Sequence, residues 1–157
     1  MIDSKIDELV EFLKERNITI SSIESLTGGL FASSFTSVSG ASKVYDGSFV
    51  TYTNEVKNKC GVKKEILDQY GAISFQCAKE MALACKRFFK TDIAVSFTGN
   101  AGPTNSENKE VGLVFISILI YNHLYSYKIH FSGNRNEIRE SCVTFASCKI
   151  LEILKNS

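Results

Sequence analysis

The sequence has few of the residues that interrupt or divide a chain. Its 157 residues include a single proline, Pro103, and contain no low-complexity run and no internal repeat. No linker can therefore be recognised, and a chain of this length fits one domain that buries a core of its own. We expect a single domain over residues 1–157.

Long apolar runs are also missing. The longest, Val111–Tyr121, is interrupted by Gly112 and Ser117, whereas a membrane-spanning helix needs about 20 apolar residues. Charges are spread through Met1–Arg16 without an apolar core, which argues against a signal peptide. We expect a cytoplasmic protein that makes no membrane contact.

Neither sign of charge is in excess. The chain has 18 Lys and Arg against 17 Asp and Glu, a net charge of +1. Proteins that bind nucleic acid use a basic surface, and this balance gives no reason to expect one. The expected partner is a small-molecule substrate and, as for many soluble enzymes, further copies of the same chain in a homo-oligomer.

Metal-ligand spacing is absent as well. The five cysteines, at positions 60, 77, 85, 142 and 148, form no Cys-x-x-Cys pair, and His123 and His130 stand in strand-like sequence without ligand spacing around them. We expect no metal site and five reduced thiols that serve packing.

What the sequence does contain is an alternation of helix and strand patterns. Apolar residues at helical spacing and capping residues such as Asp3 or Ser4, Asn54, Ser74 and Asn134 predict helices. Runs rich in β-branched and aromatic residues predict strands at 18–23, 47–53, 93–98, 111–121 and 125–131. The order predicts an α/β fold, a single-domain three-layer sandwich in which a mixed β-sheet has helices on both faces.

Four polar turns follow predicted strands and are candidates for chemistry. In the first, Ser25 and Thr27 precede Gly28-Gly29 at a helix start, where unpaired N–H groups can hold a phosphate or an oxyanion. In the second, Lys57 lies in the first turn after Asn54, at the positive end of the helix dipole, which suits a general base. A plain capping turn and a solvated lysine are the alternatives.

The other two turns are rich in glycine and arginine. The segment 99–103 is a Gly-x-x-Gly-Pro turn that lets backbone approach a ligand, and Arg135 and Arg139 are four residues apart on the last helix, where they suit phosphate or carboxylate binding. An ordinary turn and surface arginines are the alternatives. Because ligands gather at the carboxyl ends of strands in open sheets, we expect the four turns to converge.

Taken in order, the motifs resemble those of the CinA C-terminal domain family, which includes stand-alone amidases that deamidate nicotinamide mononucleotide. The resemblance covers roughly residues 5–155 and rests on Glu24-Ser25-x-Thr27-Gly28-Gly29, Gly40-Ala41-Ser42, Thr51-Tyr52-x-Asn54-Glu55-x-Lys57, Gly71-Ala72-Ile73-Ser74, Thr98-Gly99-x-Ala101-Gly102-Pro103, Val111-Gly112 and Phe131-Ser132-Gly133-x-Arg135.

The resemblance implies hydrolysis of the carboxamide of nicotinamide mononucleotide to nicotinate mononucleotide and ammonia, within NAD recycling, without a cofactor. It makes Ser25 the nucleophile, Lys57 the base and Tyr52 a neighbouring polar partner. The residues that it implies for substrate binding are Glu24, Thr27, Gly28, Gly29, Thr98, Gly99, Ala101, Gly102 and Arg135.

The chain departs from the family pattern in loops near these residues. Leu26 replaces a small residue, Asn100 an isoleucine, Asn134 an aspartate, and Thr104-Asn105-Ser106 an Asp-Gly-Gly segment. These departures leave two alternatives to an active amidase: a nucleotide-binding protein of the same fold with weak turnover, and a competence-associated interaction module.

Overall fold

Five strands form one mixed sheet in the computed structural model, which describes residues 2–157. The strands are β1 (Ile20–Glu24), β2 (Tyr45–Val50), β3 (Ile93–Gly99), β4 (Leu113–Ile120) and β5 (His123–His130). They lie in the order β2-β1-β3-β4-β5. β1 is parallel to both β2 and β3, whereas β4 is antiparallel to β3 and to β5. The mixed sheet is therefore confirmed.

Helices cover both faces of this sheet. They are α1 (Ile2–Arg16), α2 (Leu30–Thr36), α3 (Asn54–Lys59), α4 (Lys64–Tyr70), α5 (Phe75–Phe89) and α6 (Arg135–Lys155), with a short 3-10 helix at Ala41–Lys43. α1, α2 and α6 pack in one apolar core and α4 and α5 in another. Three layers result, as predicted. Over residues 2–157, no helix combines the length and the apolar character that a bilayer span requires.

The central strand β3 shows why the sheet is buried on both sides. Ile93, Val95 and Phe97 belong to the core beneath α1, α2 and α6. Ala94 belongs to the opposite core, and Ser96 donates a hydrogen bond to the carbonyl of Ala78 in α5. Successive side chains of a strand point to opposite faces. An almost wholly apolar strand is therefore what a sheet between two helical layers requires.

Several element boundaries differ from those predicted. Asp3 and Ser4, predicted as caps, lie inside α1, and Asn54 is the first residue of α3. Thr53 is the cap, because its extended backbone lets its side chain accept the N–H of Val56. The caps Ser74 and Asn134 are confirmed by hydrogen bonds from the backbone N–H groups three residues later.

The strand ends also move. β2 begins at Tyr45, two residues before the predicted Gly47, because Ile20 of β1 already pairs with Tyr45. β5 begins at His123 and not at Tyr125, so the hairpin turn is the tighter pair Tyr121-Asn122, in which Tyr121 has a left-handed φ of 52°.

The topology brings four chain segments to one edge of the sheet. β1, β2 and β3 run in the same direction, so the residues that follow Glu24, Val50 and Gly99 lie at the same end. Leu113 at the start of β4 pairs with His130 at the end of β5, so the chain returns to this edge before α6 begins at Arg135. The four polar turns therefore converge, as predicted.

Candidate active site

A cavity of about 510 Å³ opens where these segments meet. Its volume lies within the range of about 300–1,000 Å³ that is typical of small-molecule sites. Eight of the twelve predicted site residues line it: Ser25, Tyr52, Lys57, Thr98, Gly99, Ala101, Gly102 and Arg135.

Lys57 lies at the centre of the site and contacts three of its residues. Its side chain is almost completely buried, with 1% exposed. The Nζ atom lies 2.8 Å from the carbonyl oxygen of Thr51, 3.1 Å from that of Tyr52 and 2.9 Å from Ser25 Oγ. None of the ion pairs formed by the described residues includes Lys57. The solvated lysine of the alternative interpretation is therefore not what the structure contains.

The three partners of Nζ differ in what they can do. Carbonyl oxygens only accept hydrogen bonds, so two N–H groups of Nζ are committed to Thr51 and Tyr52. The Ser25 hydroxyl can accept a third N–H or donate its own proton. When the amine is neutral, its lone pair takes the remaining direction and faces Ser25 Oγ. The geometry thus directs the basic electron pair of the lysine at the serine.

Burial also favours the neutral amine. Loss of hydration lowers the pKa of Lys57 below the ordinary value of 10.5, and the Cys77 thiol and the Glu107 carboxylate act in the opposite direction. The largest cause is thus loss of hydration, whereas the sequence-based argument relied on the helix dipole. α3 has only six residues, and Lys57 lies in its second half.

Glu24 occupies a different place from the one predicted. It is completely buried, and its carboxylate accepts backbone N–H groups from Gly29, Phe31 and Ala32 as well as the hydroxyl groups of Ser22 and Ser48. The structure does not place Glu24 on the cavity wall. It is the carboxylate that caps the start of α2.

This capping changes which N–H groups are free to act. Gly28 N–H donates to the carbonyl of Ser25 and Gly29 N–H to Glu24, so the glycine turn has no N–H left to offer a ligand. Neither glycine lines the cavity, and nor does Thr27. Within residues 2–157, no hydrogen bond is donated by the N–H of Leu26 or of Thr27. These two groups directly follow Ser25 and are the available donors.

Arg139 fixes the peptide planes of that turn. Its Nε donates to the carbonyl of Leu26 over 3.0 Å and its Nη2 to the carbonyl of Thr27 over 2.9 Å. Because a trans peptide holds C=O and N–H in opposite directions, the bond to the Leu26 carbonyl turns the Thr27 N–H away from Arg139. Arg139 is a residue that sequence reasoning considered for anion binding, and the structure gives it this positioning contact.

Arg135 and Tyr52 form another part of the wall. Arg135 Nη2 donates to the Tyr52 hydroxyl over 2.9 Å, and Nη1 donates to the carbonyl of Gly102. The Tyr52 side chain is more than half exposed, and only its backbone carbonyl reaches Lys57 and, at 3.5 Å, Ser25 Oγ. The tyrosine side chain therefore contacts the arginine, not the Ser25 and Lys57 pair.

Two of the departures from the family pattern, Asn100 and Asn134, form hydrogen bonds through their side chains. Asn100 is buried; its side chain accepts the N–H of Gly102 and donates to the carbonyl of Lys109, so it ties the two ends of the loop together. Asn134 and Glu137 form a reciprocal capping box at the start of α6. Both asparagines therefore stabilise the local backbone by hydrogen bonding.

Glu107 is the charged residue of the cavity wall that sequence reasoning missed. It lines the cavity within the loop of residues 99–109. A charged residue in a polar loop gives the same sequence signal as any solvated surface residue, so no pattern pointed to it. Among the described side chains, no group of three or more His, Cys, Asp or Glu residues is arranged to hold a metal ion.

Comparison with known proteins agrees with this fold. The family described as the CinA C-terminal domain matches residues 3–154. A provisionally named competence-damage inducible protein of Bacillus subtilis strain 168 is 45% identical over 153 residues, which are 97% of this chain and 37% of that protein. A CinA-like protein of Petrotoga mobilis is 41% identical over 149 residues, again 37% of its length. The chain thus spans little more than a third of these curated relatives.

Solved structures agree as well. A competence/damage inducible protein from Agrobacterium tumefaciens is 33% identical, with a TM-score of 0.92 over 96% of this chain and 94% of that one. A CinA superfamily protein from Klebsiella pneumoniae, at 24% identity, shares the fold with a TM-score of 0.97 over 100% of this chain and 99% of its own. These names state no reaction or substrate. On the family match and the identities, the chain belongs to the CinA C-terminal domain family.

Proposed function

We propose that the chain is an amidohydrolase that converts nicotinamide mononucleotide to nicotinate mononucleotide and ammonia. The observation that carries the proposal is the buried Lys57 amine, which is held by two carbonyl oxygens and lies 2.9 Å from Ser25 Oγ. A serine is a weak nucleophile until a neighbouring base removes its proton, and a desolvated lysine is one such base.

The proposed reaction proceeds through a covalent intermediate. Ser25 Oγ attacks the amide carbon while its proton passes to Lys57 Nζ, and the carbonyl oxygen becomes an oxyanion. When the tetrahedral adduct collapses, the C–N bond breaks and Lys57 returns the proton to the departing ammonia. A water then attacks the ester, Lys57 takes its proton, and release of the carboxylate restores the Ser25 hydroxyl.

The oxyanion would be stabilised by backbone N–H groups. The N–H groups of Leu26 and Thr27 follow the nucleophile and are not used elsewhere within the described residues. Preorganised donors of this kind lower the barrier because they need not reorient as charge develops. Arg139 contributes by holding the Leu26 and Thr27 carbonyls in place.

The cavity wall formed by Arg135 suits the phosphate. Arg135 is the guanidinium group on the wall, and its two terminal nitrogens carry more N–H groups than the contacts to Gly102 and Tyr52 use. Arginine binds phosphate with charge-assisted and often bidentate hydrogen bonds. A mononucleotide would therefore place its amide at Ser25 and its phosphate toward Arg135.

The test is ammonia release by the purified protein from nicotinamide mononucleotide, the riboside and NAD. We expect Ser25→Ala to lower turnover of the mononucleotide by at least about 10³-fold, because the nucleophile is lost. Lys57→Arg should be equally inactive, since a guanidinium stays protonated and cannot accept the serine proton. Lys59→Arg, a substitution at an exposed lysine of the same helix, is the matched control and should keep full turnover.

Binding separates chemistry from folding. Calorimetry should show that the Ser25→Ala variant still binds the mononucleotide with nearly the wild-type Kd. Substantial turnover by Lys57→Arg would contradict a basic role for Lys57, and absence of ammonia release from all three substrates in the wild type would contradict the amidase itself.

A further inference from the structure

A carboxylate is held rigidly on the wall of the cavity. Glu107 Oε2 accepts the N–H of Ala72 over 2.9 Å, and Oε1 accepts the N–H of Ile73 over 3.1 Å. A Cβ atom at Gly71 would come within 2.6 Å of Oε1, so the glycine permits this close approach. The two N–H bonds fix the direction of the carboxylate, although the residue lies in an exposed loop.

No basic side chain neutralises this carboxylate. Glu107 takes part in none of the ion pairs of the described residues, and the same holds for Arg135. The charged or basic residues on the cavity wall are Lys57, Glu107 and Arg135. If Lys57 works as a neutral base, the empty cavity presents one fixed negative and one fixed positive group, and its ligand should carry the opposite pair.

We propose that Glu107 is a specificity residue that selects an amide attached to a cationic aromatic ring over the same amide on a neutral ring. The proposal rests on the proposed function and extends it. In a pyridinium nucleotide the ring carries the positive charge and the phosphate the negative charge. The ring must lie near Ser25 because it bears the amide. Glu107 lines the same cavity as Ser25, and so do Ala72 and Ile73, whose N–H groups hold its carboxylate.

The Glu107 carboxylate would act by electrostatic attraction to the positively charged ring. The two N–H bonds leave lone pairs of the Glu107 oxygens free, and these are available to a cationic ring. Because the cavity is open to water, the attraction is screened, and we expect a preference of about tenfold in Kd and not several orders of magnitude. A neutral ring would gain nothing from Glu107.

The test compares two ligands that differ in ring charge. Nicotinamide mononucleotide has a cationic ring, and its 1,4-dihydro form has a neutral one with the same carboxamide and phosphate. Calorimetry is done with Ser25→Ala protein, in which no turnover interferes. We expect Glu107→Gln to weaken binding of the cationic form about tenfold and to change binding of the dihydro form by less than about twofold.

Two further variants make the result decisive. Glu110→Gln removes a carboxylate three residues further along the chain. Glu110 Oε2 lies 3.0 Å from His130 Nε2 and Glu110 does not line the cavity, so this variant should leave both affinities unchanged. Glu107→Asp keeps the charge and should keep a preference for the cationic ring. Equal losses for both ligands in Glu107→Gln, or the same loss of preference in Glu107→Asp, would show that Glu107 only anchors the loop and would overturn the proposal.

The binding test and the ammonia assay can fail separately. A protein that prefers the cationic ring but releases no ammonia would keep this inference and refute the proposed reaction. A protein that releases ammonia without any preference that depends on Glu107 would keep the proposed reaction and refute this inference.

Discussion

At the scale of single residues, the site rests on a lysine that the fold keeps out of water. The Lys57 amine makes three hydrogen bonds yet has no carboxylate partner among the ion pairs of the described residues. Burial lowers its pKa. The same burial that prepares the base for proton transfer therefore also affects how stable the protein is at each pH.

The sign of that effect follows from proton counting. In the unfolded chain Lys57 keeps its proton up to about its ordinary pKa of 10.5, whereas in the folded protein it loses the proton at lower pH. Between the two pKa values the unfolded state binds more protons, so the free energy of unfolding attributable to Lys57 rises with pH, by at most about 1.4 kcal/mol per pH unit. Below the folded pKa this contribution is constant.

Urea denaturation from about pH 7 to about pH 10 measures this contribution. Wild type should gain stability with rising pH relative to Lys57→Met, whose residue 57 does not titrate. Lys59→Met, which removes an exposed lysine of the same helix, should follow wild type. A constant difference between wild type and Lys57→Met over the whole range would mean that the pKa of Lys57 is not lowered into the range of the measurement.

At the scale of elements, a carboxylate accepts backbone N–H groups at the start of two helices, and the two carboxylates differ in burial. Glu24 is completely buried and accepts five donors at the start of α2, whereas Glu137 accepts one N–H in an exposed capping box at the start of α6. Hydrogen bonds to a buried charge contribute more than those to a solvated one, because water cannot replace the lost partner.

We predict that Glu24→Gln lowers the free energy of unfolding by about 2–4 kcal/mol, since the amide presents an N–H₂ group to donors that need an acceptor. Glu137→Gln should cost less than about 1 kcal/mol. Chemical denaturation of both variants gives the comparison. If Glu24→Gln instead folded normally and raised the KM for the mononucleotide, Glu24 would contact substrate, as the family resemblance implies.

The two helix starts also show what sequence could and could not predict. Asn134 and Ser74 are predictable as caps because a capping side chain and its N–H partner lie only three residues apart. The carboxylate that caps α2 belongs to Glu24, a strand residue six positions before the helix. The same carboxylate also accepts hydrogen bonds from the hydroxyl groups of Ser22 and Ser48. That arrangement depends on the pairing of β1 with β2, which no local pattern records.

At the scale of the whole molecule, the strand types were predictable and the strand order was not. Apolar runs and the hairpin indicated a mixed sheet, but the pairing of Ile20 with Ile93, 73 residues later, is a tertiary property. The same holds for the site. Motif order pointed to Ser25 and Lys57, whereas the contacts of Arg139 and Glu107 bridge segments that lie far apart in the chain.

The burial of the five thiols across the fold predicts which of them react in the native protein. Cys77, Cys85 and Cys142 are buried, and Cys60 and Cys148 are partly exposed. Burial raises the pKa of Cys77 and of Cys85 to about 12 and also raises that of Cys142, so their reactive thiolate forms are suppressed.

Iodoacetamide at neutral pH should therefore alkylate Cys60 and Cys148 in the native protein and all five thiols in urea, as read by mass spectrometry. Single replacement of each cysteine by alanine should preserve ammonia release, because no thiol takes part in the proposed reaction. Rapid alkylation of native Cys77, or loss of turnover in its alanine variant with the fold intact, would contradict this prediction.

The position of α6 over the sheet has a consequence for synthesis on the ribosome. Every strand leaves the exit tunnel before α6 does, while Ile138, Val143 and Ile150 of α6 complete the core beside β3 and β4. A nascent chain therefore emerges with one sheet face only partly covered, and exposed apolar faces of this kind attract chaperones and other nascent chains. The same helix carries Arg135 and Arg139, so the newly made protein gains its complete cavity only when that face is closed.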